Sequence, residues 1–198
     1  VRYIPMERIE KELELFNKKK LRQIFVLDPT YNADKKRALQ LLRLIRQKAP
    51  GMFFYFEARA EFIDRELARA FTQIPCAIQI GLQSADPEIL RYVHRSLDKK
   101  KFVKNIKLLN EEGAVFGFDL IYGLPKDTLE GFKKSLDFAL GLYPNNVETF
   151  CLSVLPGTIL YETALSLGSV FSRVPPYNVI KTDAFSEKDL QKAKELST

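Results

Sequence analysis

The chain has 198 residues, with 31 Lys and Arg against 25 Asp and Glu and a single His, giving a formal net charge of +6. Its 46% hydrophobic and 28% charged residues exclude a disordered chain, and the length suits one domain or a large part of one. No apolar run approaches the roughly 20 residues that cross a bilayer, no signal peptide opens the chain, and two Cys with one His exclude a disulfide framework, a Cys/His zinc site and a His-containing triad within it.

Taken in chain order, the elements alternate. Ile9, Leu13 and Phe16 recur at helical spacing, and Ile24-Phe25-Val26-Leu27 is then a short apolar run, a strand, ending in Asp28-Pro29. Leu39, Leu42 and Ile45 predict a helix, and 53–56 a second strand ending in Glu57. Ile63, Leu67 and Phe71 predict the next helix, and 77–82 a third strand ending in Gln83-Ser84, after which Asp86-Pro87 starts another helix with Pro in its first turn. Phe102, Ile106 and Leu109 mark a helix that stops at Gly113. The fourth strand, 115–118, ends in Asp119 and continues through Leu120-Ile121-Tyr122 to Gly123-Leu124-Pro125; the helix of Phe132, Leu136 and Leu140 follows. A fifth strand, 147–155, ends in Pro156-Gly157, and Ser186 with Asp189 caps a helix expected to run to the last residue.

Near-continuous apolar strands predict a parallel sheet covered on both faces. No G-x-G-x-x-G or G-x-x-x-x-G-K-[ST] phosphate loop is present. Asp28, Glu57, Gln83 and Asp119 instead place a polar residue at the end of successive strands, as the rim of a βα barrel does. Five strands are too few for a complete barrel. The expected fold is therefore α/β, a partial (β/α) barrel resembling a TIM barrel but lacking its first strand, over residues 1–165, with 166–198 a C-terminal extension. The basic runs 18–20 and 99–101 read as solvated helix faces, and no aromatic-basic interleaving points to nucleic acid. The expected setting is cytoplasmic, without a membrane partner, and the exposed edge of the first strand favours self-association or occlusion by a terminus.

Three pieces carry the chemistry: 80–90 followed by Arg95, 118–125 followed by Asp127-Thr128, and 152–158. Gln83 offers an amide that donates and accepts, and Arg95 a fork suited to a carboxylate. Asp119 is an acid within an apolar strand, a costly placement unless partners meet it. A strand-end amide, a surface Arg and a structural Asp are the bland alternative for these residues.

In combination these stretches resemble the radical S-adenosylmethionine (radical SAM) enzymes. The likeness is closest to the branch with oxygen-independent coproporphyrinogen oxidase, the methylthiotransferases and the cobalamin-binding enzymes. The segments 26–32, 154–158 and 174–179 favour the cobalamin-binding group, which includes the anaerobic magnesium-protoporphyrin IX monomethyl ester oxidative cyclases. The resemblance implies that Gln83, with Ser84 beside it, and Asp119 bind the ribose hydroxyls of S-adenosylmethionine. It implies that Arg95 holds the methionyl carboxylate, that Glu57 lies near the amino group, and that backbone at Ile121, Tyr122 and Gly123 and at Leu155-Pro156 flanks the adenine. Asp28 stands where other branches carry a Gly-Gly-Glu turn for the methionyl amine. Tyr31, Tyr122 and Tyr161 are candidates to line a small-molecule substrate cavity, with packing as the alternative. The implied reaction is reductive cleavage of S-adenosylmethionine to a 5′-deoxyadenosyl radical.

One departure matters. The family holds a 4Fe-4S cluster on C-x-x-x-C-x-x-C, and this chain has only Cys76, expected at a strand start, and Cys151, expected mid-strand. Neither is expected to be a ligand. The opening Val1-Arg2-Tyr3-Ile4-Pro5 resembles the segment after the cysteine loop in intact relatives. The expectation is therefore a fragment, inactive alone, whose cluster loop and any cobalamin domain lie upstream of residue 1. A tRNA-modifying methylthiotransferase and a non-catalytic ligand-binding paralogue are the rival readings.

Overall fold

A computed structural model of the chain describes residues 3–196, so Val1 and Arg2 of the opening stretch and the last two residues lie outside it. The elements follow in the order α1 (Met6–Lys18), β1 (Gln23–Val26), α2 (Lys35–Lys48), β2 (Phe53–Ala58), α3 (Arg65–Phe71), β3 (Cys76–Gln83), α4 (Pro87–Arg91), α5 (Lys99–Glu112), β4 (Phe116–Tyr122), α6 (Leu129–Leu140), β5 (Asn146–Cys151), α7 (Ile159–Thr163), β6 (Val170–Phe171), β7 (Val179–Lys181) and α8 (Glu187–Glu195). The first five strands form one sheet in sequential order, β1 to β5, and β1, β2 and β3 pair parallel. The fold is thus a βα sheet of five parallel strands that does not close into a barrel. The helices between successive strands, from α2 to α6, supply the crossovers that parallel neighbours require.

The backbone divides into two compact units, residues 1–81 with 101–117, and residues 82–100 with 118–198. In the first, β2 alternates: Phe54, Phe56 and Ala58 are buried while Tyr55 and Glu57 are exposed. Coverage of both strand faces was the expectation, and for β1 and β2 it fails. Phe25 stacks on Tyr55 at 4.3 Å on the open side, and Phe25 stays 61% exposed. These residues gave the strands their continuous apolar look, but only the helix-facing alternates reach the core. Helix α2 is fastened at its start by Asp34, whose side chain accepts from the Arg37 N–H, and α3 likewise by Asp64. Asn105, on α5, donates to the Ala60 carbonyl at 2.9 Å, satisfying a buried turn.

In the second unit, Ser186 caps α8 in a reciprocal capping box with Asp189, as the sequence indicated, and Thr128 caps α6. Helix α8 ends at Glu195 instead of running to the last residue. Two strand boundaries differ from expectation. Asp119 does not end a strand but lies in the middle of β4, and β5 stops at Cys151 rather than 155. Just after β5, Leu152 N–H still donates to Tyr122 O at 3.0 Å, while the chain takes up a second partner: Val179 N–H donates to Leu152 O at 2.8 Å and Val154 N–H to Tyr177 O at 2.9 Å. That partner belongs to the β6–β7 antiparallel pair, which short, mixed sequence did not reveal. Residues 166–196 lie inside the second unit.

Candidate cofactor-binding site

Within the first unit, the loop after β1 is tied to the end of β2. Tyr31 N–H donates to Glu57 O at 2.9 Å. Asn32, fully buried, donates to Arg59 O at 2.8 Å and accepts from Arg59 N–H at 2.9 Å. These bonds fix the position of Asp28 and Glu57, both exposed at the same end of neighbouring parallel strands. Asp28 closes a local turn by accepting from Thr30 N–H at 3.1 Å. Tyr31 is a core residue: its hydroxyl donates to Ala38 O at 2.8 Å, its ring meets Phe56 at 4.4 Å, and burial pushes its phenol upward. A groove of about 740 Å³ opens beside the loop, with Leu27, Asp28, Arg37 and Phe62 in its walls. Asn32 was not singled out in the sequence; a polar residue ending the segment 26–32, just before a helix cap, was the only signal of it.

The second unit carries the remaining candidates. Gln83 is the last residue of β3 and has a φ of 67°, a left-handed conformation uncommon outside glycine, which turns the chain sharply at the strand end. Ser84 is spent inside the protein: its hydroxyl lies 3.3 Å from that of Ser135 and accepts from Asp86 N–H at 3.1 Å, while Ser135 also accepts from Ala85 N–H at 3.0 Å. Ser84 therefore shapes the turn that presents Gln83. Asp86 then caps α4 by accepting from Glu88 N–H, with Pro87 in the first turn. Beyond α4, Arg95 is half-buried and its N–H is held by Leu90 O at 2.9 Å.

Along β4 the burial alternates. Phe118, Leu120 and Tyr122 are buried, and Asp119 and Ile121 occupy the half-exposed face. Gln83 falls on the half-exposed alternate of β3 in the same way. Tyr122 packs edge-on to Phe132 at 5.6 Å and lies beside Cys151. At Gly123, φ is 80°, and a Cβ would meet Val179 Cγ1 at 2.6 Å and Leu190 Cδ2 at 2.9 Å, so this glycine is required by the protein's own packing. Leu155 and Pro156 are exposed past the end of β5, and Tyr161 packs on Phe171 with Arg173 over both rings. Gln83, Ser84, Arg95, Asp119, 121–123, Leu155 and Pro156 thus share one compact unit, and Asp28 and Glu57 belong to the other.

The donor set suits a nucleoside carrying an amino-acid end: an amide and a carboxylate for hydroxyls, a guanidinium for a carboxylate. It does not suit an iron–sulfur cluster. Cys76 begins β3, donates to Phe71 O at 3.3 Å, and is pushed up to about 12 by burial. Cys151, at the end of β5 rather than mid-strand, is half-buried and also shifted upward, chiefly by burial. Raised thiols are poor thiolate ligands, and among the described residues no group of three His, Cys, Asp or Glu side chains is placed to hold a metal ion. Nor is any described helix long and apolar enough to cross a membrane.

Comparison with known proteins bears on this arrangement. The sequence profile of the Radical SAM superfamily matches residues 1–139. The chain belongs to the radical SAM superfamily. It is 24% identical over 163 residues to an uncharacterised methyltransferase of Pyrococcus horikoshii, covering 81% of this chain and 36% of that protein. Among solved structures it resembles the radical S-adenosylmethionine methyltransferase TsrM from Kitasatospora setae, solved with cobalamin and a [4Fe-4S] cluster, at a TM-score of 0.72 and 18% identity over 90% of this chain and 38% of that one. It also resembles coproporphyrinogen III oxidase (HemN) from Escherichia coli at a TM-score of 0.66 and 20% identity, over 96% of this chain and 44% of the other. The chain thus spans about a third of the length of that curated methyltransferase. Radical SAM membership implies S-adenosylmethionine and a 4Fe-4S cluster as the family's cofactors.

Proposed function

We propose that this chain is the S-adenosylmethionine-binding part of a longer radical SAM enzyme of the cobalamin-binding branch, acting on a small molecule. The observation that carries the reading is the family match over residues 1–139, a span that contains Gln83, Arg95 and Asp119. In it, Gln83 and Asp119 hold the ribose hydroxyls, the first donating and accepting, the second accepting. Arg95 grips the methionyl carboxylate through its fork, and backbone at 121–123 and Leu155-Pro156 flanks the adenine. Glu57 and Asp28 serve the amino end. Ser84 and Ser135 set the turn that presents Gln83. With its cluster, the bound cofactor supplies one-electron cleavage of a carbon–sulfur bond. The chain's part is to orient the sulfonium and keep water from it. Three cluster thiolates lie outside these 198 residues, and the chain by itself has no turnover.

For the reaction's outcome, the porphyrin-cyclase-like reading rests on the segments 26–32, 154–158 and 174–179. Methyl transfer is the second reading, favoured by the likeness to the P. horikoshii methyltransferase and to TsrM. The test uses the longer protein, reconstituted anaerobically with iron and sulfide, and measures 5′-deoxyadenosine and methylated product. Gln83→Ala, Arg95→Ala and Asp119→Ala are expected to lower S-adenosylmethionine turnover by about tenfold or more each, the loss of one charge-assisted or buried hydrogen bond. Wild-type turnover in all three would overturn the assignment.

A further inference from the structure

Helix α4 is short, Pro87–Arg91, and it joins two of the candidate cofactor ligands, Gln83 before it and Arg95 after it. Its start is fastened by Asp86, which accepts from Glu88 N–H, and by Ser84, which accepts from Asp86 N–H. Its middle is rooted in the core through Ile89 and Leu90, the latter only 2% exposed. At its far end the chain passes through the single histidine, His94, at a φ of 55°. His94 N–H donates to Arg91 O at 3.1 Å, and Arg95 N–H to Leu90 O at 2.9 Å. These are the two bonds of a Schellman ending, which requires a left-handed residue at its turn. The same pair closes α5, from Gly113 N–H to Asn110 O and from Ala114 N–H to Leu109 O, and there the left-handed residue is a glycine with φ 75°. Left-handed backbone costs any residue with a Cβ; His and Asn tolerate it better than most, and β-branched residues tolerate it least.

We propose that His94 is a positioning residue for Arg95 and, through it, for the carboxylate of S-adenosylmethionine. The inference rests on the reading of Arg95 as the group that grips that carboxylate. A guanidinium fork makes its two parallel hydrogen bonds in one orientation only, so its grip depends on where the backbone sets the arginine down. The turn at His94 decides that. It ties Arg95 N–H to the carbonyl of a residue locked in the core. A residue at 94 that resists the left-handed turn breaks this tie and displaces the guanidinium. Gln83, held from the opposite end of α4, keeps its place. The imidazole of His94 is exposed, and the contribution of position 94 is its backbone angle, not its ring.

The test is equilibrium binding to the longer protein, read by saturation-transfer titration with two ligands. S-adenosylmethionine carries the carboxylate; 5′-methylthioadenosine has the same nucleoside without it. Arg95→Ala and His94→Val are each expected to raise the dissociation constant of S-adenosylmethionine about tenfold, and to leave that of 5′-methylthioadenosine within about twofold of wild type. His94→Gly, which turns left freely, should bind both ligands as the wild type does. His94→Ala imposes the same backbone cost more mildly and is read in the same way if valine prevents folding. Arg95→Ala that binds S-adenosylmethionine normally would refute the carboxylate reading itself. Where Arg95→Ala weakens binding, three results would overturn the role of His94 alone: His94→Val and His94→Ala both at wild-type affinity, a loss shared equally by the two ligands, or His94→Gly as weak as His94→Val.

Discussion

Asp127 offers a prediction whose magnitude comes directly from its surroundings. The side chain is only 3% exposed; Oδ1 accepts from Thr128 N–H at 2.8 Å, and Oδ2 is buried with no partner among the described residues. Burial pushes the carboxyl from its usual 3.8 up to about 6, opposed by the Thr128 N–H and reinforced by the Asp86 carboxylate. The displacement corresponds to about 3 kcal/mol as an upper bound. Between those two pH values the folded state holds a proton that the unfolded state has released. Stability therefore falls as pH rises from 3.8 through about 6, and the whole penalty is present above it. Asp127→Asn keeps the acceptor for Thr128 and removes the charge. It should raise unfolding free energy by about 1–3 kcal/mol at pH 7.5 and by little near pH 4. The chain has no Trp, so urea titrations followed by circular dichroism and tyrosine fluorescence are the assay. A variant effect that is the same at both pH values, or a variant less stable at pH 7.5, would refute the reasoning.

Other outcomes follow from single contacts. Gly123→Ala must carry a side chain at positive φ into Val179 and Leu190, and a loss of about 2–4 kcal/mol is expected in the same urea assay. Asn32→Ala removes both bonds to Arg59. It should cost about 2–3 kcal/mol and accelerate amide exchange at Tyr31 and Arg59, where the loop is fastened. Cys76→Ala and Cys151→Ser in the longer protein should leave iron content and the visible absorption of a reconstituted cluster unchanged; a loss of iron in either would contradict the reading of both thiols as inert.

Much of the fold was legible because the core-facing alternates and the crossover helices write their own periods. The helices around Ile9, Leu42, Ile106 and Phe132 and the five strands follow from that spacing, and the caps at Ser186 and Asp86 from side-chain chemistry. The misreadings have physical causes. Asp119 was read as the polar tip of the first part of its strand, but the ladder runs on to Tyr122 and a half-exposed face accommodates the acid mid-strand. Phe25 and Tyr55 looked like core, and their exposure depends on what lies over the open side of the sheet, which no local pattern encodes. The boundary of β5 depends on the later segment 177–179, a distant partner. For the site, the residue types at 83, 95 and 119 were readable. The Ser84–Ser135 link behind Gln83 joins residues far apart in sequence, and the Asn32 clasp behind Asp28 and Glu57 joins two separate loops, so neither was.

The central claim, that Gln83 at the end of β3 and Asp119 within β4 help cradle an adenosyl sulfonium, meets its most direct test in saturation-transfer NMR of S-adenosylmethionine with this chain. Such a measurement reads weak binding without any cluster. Transfer is expected to the ribose and adenine protons, and to vanish in Asp119→Ala and Gln83→Ala variants that retain wild-type circular dichroism. Absence of transfer to the folded wild type, or transfer undiminished in both variants, would contradict it.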